Sequence, residues 1–147
     1  MISIQHQDFS IQDEIKVLQA PNTGAIVSFV GLVRETASHG QVTAIELEHY
    51  PAMTQKSLAD IVAQAEQRWP LLGVRVIHRI GYLTVSEQIV LVAVASQHRS
   101  AAFEAAAFIM DFLKTKAPFW KKEYINGEGH WVDAKEGDTV AVSRWGN

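Results

Sequence analysis

Near the end of the chain, "KTKAPFWKKE" (Lys114 to Glu123) gathers four of the seven lysines of a 147-residue protein whose formal net charge is −3. Pro118 ends any helix running through Lys114, and a strand after it alternates its side chains. Lys121 and Glu123 then share one face, with Trp120, Lys122 and Tyr124 on the other. Lys114 stands three residues after Asp111, about 60° round a helix and at the edge of its polar stripe. Lysines from a helix end and a strand start can therefore converge. Ammonium groups brought together depress one another's pKa, and such a lysine serves as nucleophile or proton carrier near neutrality. The competing reading is a basic rim around a Phe119-Trp120 core plug.

Two further segments suit anion binding. In "SQHRSAAF" (residues 96 to 103), His98 and Arg99 fall where an apolar strand turns into a helix. Free N–H groups and the helix dipole favour an anion there, and a guanidinium adds a bidentate clamp. A solvated Arg with a capping His is the plainer account. In "FVGLVRE", Gly31 interrupts a strand and Arg34 emerges at its end. A strand glycine marks a bulge or a close backbone approach, so Arg34 is either aimed at a ligand or is a surface residue at a kinked edge. "VIHRIG" (76 to 81) repeats a His-Arg pair inside an alternating strand, with His78 read as a satisfied core histidine and Arg79 as a surface or partner contact. "LEHYPAMT" (47 to 54) reads mainly as fold-setting, with Met53 a possible pocket residue.

Composition narrows the chemistry. With no cysteine, disulfides, thiolate metal sites and cysteine nucleophiles are all removed, and the six histidines are scattered without ligand spacing, so no metal and no cofactor is expected. Phosphate-loop, dinucleotide, serine-hydrolase and zincin motifs are missing. The negative balance argues against a general polyanion binder, although basic residues interleaved with aromatics keep a nucleic-acid module among the readings. No apolar run reaches the roughly 18 residues of a membrane span, and a cytoplasmic protein is expected.

The elements that must position these residues follow from periodicity. One domain over residues 1–147 is expected from the length. A strand in "ISIQHQDF" precedes a helix capped by Ser10. A buried strand covers 25 to 33, a polar loop "RETASHGQ" follows, and another strand lies in "VTAIELEHY". Pro51 opens a helix to Trp69, closed by Pro70 and Gly73. Strands "VRVIHRIG" and "QIVLVAVASQ" come next, the second apolar on both faces and central. A mostly covered helix starts near Arg99, and a hairpin turns at Asn126-Gly127 before a tail anchored by an aromatic in "VSRWGN". The order β-α-β-β-α-β-β-α-β-β predicts an α+β fold, helices packed on a mostly antiparallel sheet.

Together, "FVGLVRE", "LEHYPAMT", "VIHRIG", "SQHRSAAFEAAAFIMDFLKTKAPFWKKE" and "WVDAKEGD" closely resemble the family of large, catalytic subunits of molybdopterin synthase, in matching order through roughly residues 22 to 136. The resemblance implies an α/β hammerhead-like fold and a sulfurtransferase that converts cyclic pyranopterin monophosphate to the dithiolene of molybdopterin, in molybdenum cofactor biosynthesis. The sulfur would arrive as a thiocarboxylate on the C-terminal glycine of a small ubiquitin-like subunit, within a heterotetramer built on a homodimer of the large subunit. A protein without thiols cannot carry a persulfide, so the composition permits this scheme. By the same resemblance, Lys114 and Lys121 are the catalytic lysines, and Leu32, Val33, Arg34, His98, Arg99, Lys122 and Glu123 bind substrate. Lys135 stands where the family often has arginine, and loses the planar fork. The rival readings are a noncatalytic adaptor for a ubiquitin-like tail and the nucleic-acid module.

Overall fold

The computed structural model describes residues 1–37, 40–132, 141–143 and 145–146, with Ala37 described by its backbone alone. The final residues of "WVDAKEGD", Lys135 among them, lie outside the described residues, as do His39 and Arg144.

The first sheet has the order β1-β6-β8-β2: β1 (Ile2–Gln5), β6 (Leu71–Arg79), β8 (Gln88–Ser96) and β2 (Ala25–Leu32). All its neighbours are antiparallel except β1 and β6, which run parallel. Strand β8 is central, as its double-sided hydrophobicity requires. Val90, Val92 and Val94 pack with α2 (Pro51–Arg68) and α3 (Arg99–Lys116), while Leu91, Ala93 and Ala95 pack with Leu18 of α1 (Ile11–Leu18). None of these six strand residues is more than 3% exposed. Ser10 caps α1 by accepting from the Asp13 amide at 3.3 Å.

The second sheet has the order β10-β9-β5-β7: β10 (Glu128–Val132), β9 (Phe119–Ile125), β5 (Ala44–His49) and β7 (Gly81–Thr84), antiparallel throughout. Asn126 and Gly127 both have positive φ (53° and 80°), the pair that a tight primed turn between β9 and β10 demands. The loop after β2 holds a two-residue ladder, β3 (Thr36–Ala37) with β4 (Gly40–Gln41).

The architecture is α+β, with four expectations corrected in detail. Strand β2 is not buried: it is the outer strand of its sheet, and Phe29 and Leu32 are 41% and 53% exposed. Ala25 and Val27 pack against the α2–α3 cluster and Ile26 and Val30 against the Leu18 cluster, whereas Phe29 and Leu32 are left without a cover among the described residues. Gly73 does not close α2, which ends before Pro70; it lies in β6, where an added Cβ would stand 2.9 Å from Leu18 Cδ2. The glycine lets α1 settle onto the strand. Strand β7 appears where only a connection is expected. Finally, Arg79 is no surface contact. It is 7% exposed, donates through Nε to the His6 carbonyl and through Nη1 to Glu87 and the Gln88 carbonyl, and joins the ends of β1, β6 and β8.

Two contacts bind the pieces that matter below. The acidic breaks in α3 each accept an indole N–H: Glu104 from Trp69 at 3.0 Å, and Asp111 from Trp145 at 2.6 Å. Trp145 packs against Trp69 and Phe108, which makes it the anchor its position suggests. The wholly buried Thr54 of α2 donates its hydroxyl to the Pro118 carbonyl at 3.2 Å, fixing the turn between α3 and β9.

Candidate functional site

The last turn of α3, the start of β9 and the end of β2 surround a cleft of about 410 Å³, within the range of small-molecule sites. Each element delivers one cation, and each delivery has a local cause.

On β2, the strand pairing shifts register between Gly31 and Leu32. Gly31 is tightly enclosed, since a Cβ there would come within 2.9 Å of Val90 Cγ1. The bulge turns the strand end, so that Val33 is buried and Arg34 is exposed at the cleft wall. On α3, Leu113 is buried on one side and Lys114 is exposed on the other, at the cleft. On β9, Lys121 and Glu123 lie opposite Leu47 and Ile45 of β5, and their side chains share the inner face of the second sheet. Lys121 Nζ is 3.9 Å from Glu123 Oε2.

Among the described residues the cleft therefore holds three cations, Arg34, Lys114 and Lys121, against one carboxylate, Glu123, above apolar walls that include Phe29, Ile45 and Ile89. Apolar walls with a net positive charge suit a flat, anionic ligand.

His78 also faces this space. Its ring stacks on Phe119, with centroids 3.8 Å apart and planes 16° apart, and its Nδ1 lies 2.8 Å from the Arg79 carbonyl. Burial first, then the charge of Lys114 and His49, hold its pKa down at about 4 against the pull of that carbonyl, so the imidazole is neutral at pH 7.

The structure brings together Leu32, Val33, Arg34, Lys114, Lys121 and Glu123. It does not bring His98, Arg99 or Lys122 to them within one chain. His98 and Arg99 stand at the start of α3 and Lys114 near its end, fifteen residues or about 22 Å apart along the axis. His98 is the N-cap residue but makes no side-chain cap bond. Lys122 points to the far side of β9, where its ammonium is 4.7 Å from the Trp131 ring centroid. Of the expected core plug, Phe119 packs inward on His78, while Trp120 is 42% exposed and meets Tyr50 edge-on. Met53 is also exposed and does not line this cleft. Sequence reading missed Phe29, Ile45 and His78 as cleft residues. The β-alternation of "FVGLV" and "AIELEH" assigns their faces, but not that the two faces look into one space.

Comparison with known proteins places this geometry in a family. The family model described as "MoaE protein" matches residues 4–116. The molybdopterin synthase catalytic subunit of Vibrio cholerae is 51% identical over 145 residues, covering 98% of this chain and 97% of that protein. Among solved structures, the molybdopterin biosynthesis MoaE protein of Burkholderia ambifaria superposes with a TM-score of 0.83 at 46% identity, covering 99% of this chain and 97% of that one. Molybdopterin synthase from Staphylococcus aureus superposes with a TM-score of 0.84 at 31% identity, covering 89% and 96%.

Proposed function

The chain belongs to the MoaE family, and on that premise we propose that the cleft between β2, α3 and β9 is where it inserts sulfur into cyclic pyranopterin monophosphate to make molybdopterin. It is a sulfurtransferase of molybdenum cofactor biosynthesis, with all 147 residues serving as one large-subunit domain. The observation that carries the reading is the meeting of Arg34, Lys114 and Lys121, from three separate elements, over an apolar floor.

A relative named a catalytic subunit works with another subunit, and the absence of cysteine calls for one here. The partner is the small ubiquitin-like carrier whose C-terminal thiocarboxylate enters the cleft. Its sulfur attacks a carbon of the pterin substrate's side chain and the carbon–oxygen bond there breaks, the oxygen leaving as the ring-opened phosphate or, from a carbonyl carbon, as water. Water then cleaves the acyl–sulfur bond, which returns the carrier as a carboxylate and leaves the sulfur on the product. Cleavage passes through a tetrahedral oxyanion. Lys114 handles the proton transfer or attacks the thiocarboxyl carbon, and Lys121 stabilises the developing oxyanion or the phosphate. Arg34 binds the cyclic phosphate and Glu123 orients Lys121.

His98 and Arg99 serve the cleft of a second copy. Exposed apolar residues support such a homodimer: Phe29 and Leu32 on the outer strand β2, and Phe103 one turn from Arg99 at 60% exposure. A heterotetramer follows when each large subunit holds one carrier. No helix among the described residues is long and apolar enough to cross a membrane, and in this reading the protein works in the cytoplasm.

The test is direct. Thiocarboxylated carrier, the pyranopterin and this protein are mixed and molybdopterin is assayed; a noncatalytic adaptor would bind the carrier and form none. Mixing inactive Arg99→Ala and Lys114→Ala proteins then tests the shared site. Subunit exchange restores activity if Arg99 acts across the dimer, and restores none if each cleft is complete in one chain.

A further inference from the structure

The second sheet turns its other face to solvent, and strand register sets that face out in rows. Tyr82, Glu46, Lys122 and Trp131 lie side by side across β7, β5, β9 and β10, and Glu48 and Trp120 form the next row along β5 and β9. Large rings stay open here: Tyr82 and Trp131 are 59% and 57% exposed, and Tyr50, at the end of β5, is 56% exposed. Where β5 gives way to α2 the surface sinks into a pocket of about 290 Å³, lined by Glu48, His49, Tyr50, Trp120 and Trp131. The rings of Tyr50 and Trp120 meet edge-on, with centroids 4.8 Å apart and planes at 86°. The pair therefore presents a flat face beside an upright edge.

Charge makes this pocket the opposite of the cleft. No lysine or arginine among the described residues lines it, and Glu48 supplies a carboxylate. Glu46, two residues earlier on the same strand, accepts the Tyr124 hydroxyl at 2.8 Å. Glu48 has no hydrogen bond or ion pair among the described residues, because its neighbour across the strands is Trp120 rather than a cation. Lys122 rests its ammonium over Trp131 and Tyr124 instead, outside the pocket lining. Aromatic faces are negative, so three rings and an unpaired carboxylate attract a cation and turn an anion away.

We propose that this pocket receives an arginine side chain presented by a protein partner, its guanidinium stacked on the Tyr50–Trp120 pair and bonded to Glu48. A guanidinium is planar and weakly hydrated, so it stacks on a ring in an open site and still points N–H groups at a carboxylate; an ammonium keeps its water. A protein presents it because the pocket lies within a wider exposed aromatic face, running from Tyr82 to Trp131 on the outermost strand β10. Rings of this kind anchor protein contacts, with arginine their frequent counterpart. Nothing in this assignment rests on the sulfur-transfer reading.

The probe is a blocked Gly-Arg-Gly tripeptide, titrated into the whole protein while the indole N–H resonances of its four tryptophans are followed by NMR. Trp120 and Trp131 should shift. Trp69 and Trp145, whose indoles are held by Glu104 and Asp111, should stay still. The same tripeptide with citrulline, the uncharged isostere of arginine, should bind about fivefold more weakly or worse. Glu48→Gln keeps the shape of the side chain and has no partner to lose. It should weaken the arginine peptide about threefold or more and leave the citrulline peptide unchanged. Free arginine, which carries charged α-groups that a residue in a chain lacks, should bind more weakly than the tripeptide. Still resonances at Trp120 and Trp131, equal binding of the two tripeptides, or undiminished binding by Glu48→Gln overturns the site. Equal or tighter binding of free arginine makes it a site for a small molecule and overturns the protein partner.

Discussion

Lys121 and Lys122 are adjacent in the chain and opposite in circumstance. Lys121 faces inward beside Glu123, among Arg34, Lys114 and His78, in a space of the size a small ligand fills. Lys122 faces outward onto Trp131 and Tyr124, its charge resting on aromatic faces. The same ammonium on the same strand thus meets two environments, because a strand alternates its side chains. The inner face gathers groups from several elements around an open volume, which is what chemistry needs. The outer face pairs its lysine with rings of its own sheet, which gives packing. Residue type alone does not separate the two.

The comparison breaks most visibly at Lys114. Lys114→Ala should lower molybdopterin formation by about 10⁴-fold, with an unchanged far-ultraviolet circular dichroism spectrum, because it removes a proton-handling group at an exposed position. Near-normal turnover would refute its role. Lys121→Ala should follow with a loss of about 10²–10³-fold, the range for removing one oxyanion donor. Lys122→Ala, one residue on, should retain turnover within about threefold. Equal losses for the two neighbours would erase the distinction between the faces.

The inner face also has a pH signature. The folded pKa of His78 is depressed from 6.5 to about 4, so the unfolded chain binds the proton first as pH falls. The stabilisation is fully present above about pH 6.5, and is lost progressively as pH drops toward 4, by about 3 kcal/mol in all. Thermal unfolding followed from pH 7 to pH 4.5 should show this slope, and His78→Asn should flatten it. The smallest effect belongs to the outer face. Lys122→Ala should destabilise by about 0.5–1 kcal/mol, the worth of a cation–aromatic contact at the surface, as read by urea midpoints.

Features written in a few consecutive residues were legible in the sequence. The Ser10 cap, the Asn126-Gly127 turn, the Gly31 bulge and the two-sided burial of β8 each follow from local backbone or side-chain requirements. Periodicity also separated Lys121 from Lys122. Long-range partnership was not legible. Arg79 looks like a surface cation until His6, Glu87 and Gln88 converge on it from distant positions. Strand β2 reads as buried because its residues are apolar, whereas its neighbours in one chain leave Phe29 and Leu32 uncovered. The roles given to His98 and Arg99 came from family resemblance. The 18-residue length of α3 already implies that they stand far from Lys114, which points to a second chain for any shared site.

The hydroxyl of Thr54 holds the Pro118 carbonyl, and Pro118 joins the helix bearing Lys114 to the strand bearing Lys121. The gap between those two nitrogens is thus calibrated from α2, an element that contributes nothing to the cleft lining. Thr54→Val, nearly the same shape without the hydroxyl, would retune that spacing while leaving every cleft residue chemically intact. Anyone seeking to admit a bulkier heterocycle would do better to begin there than at the walls.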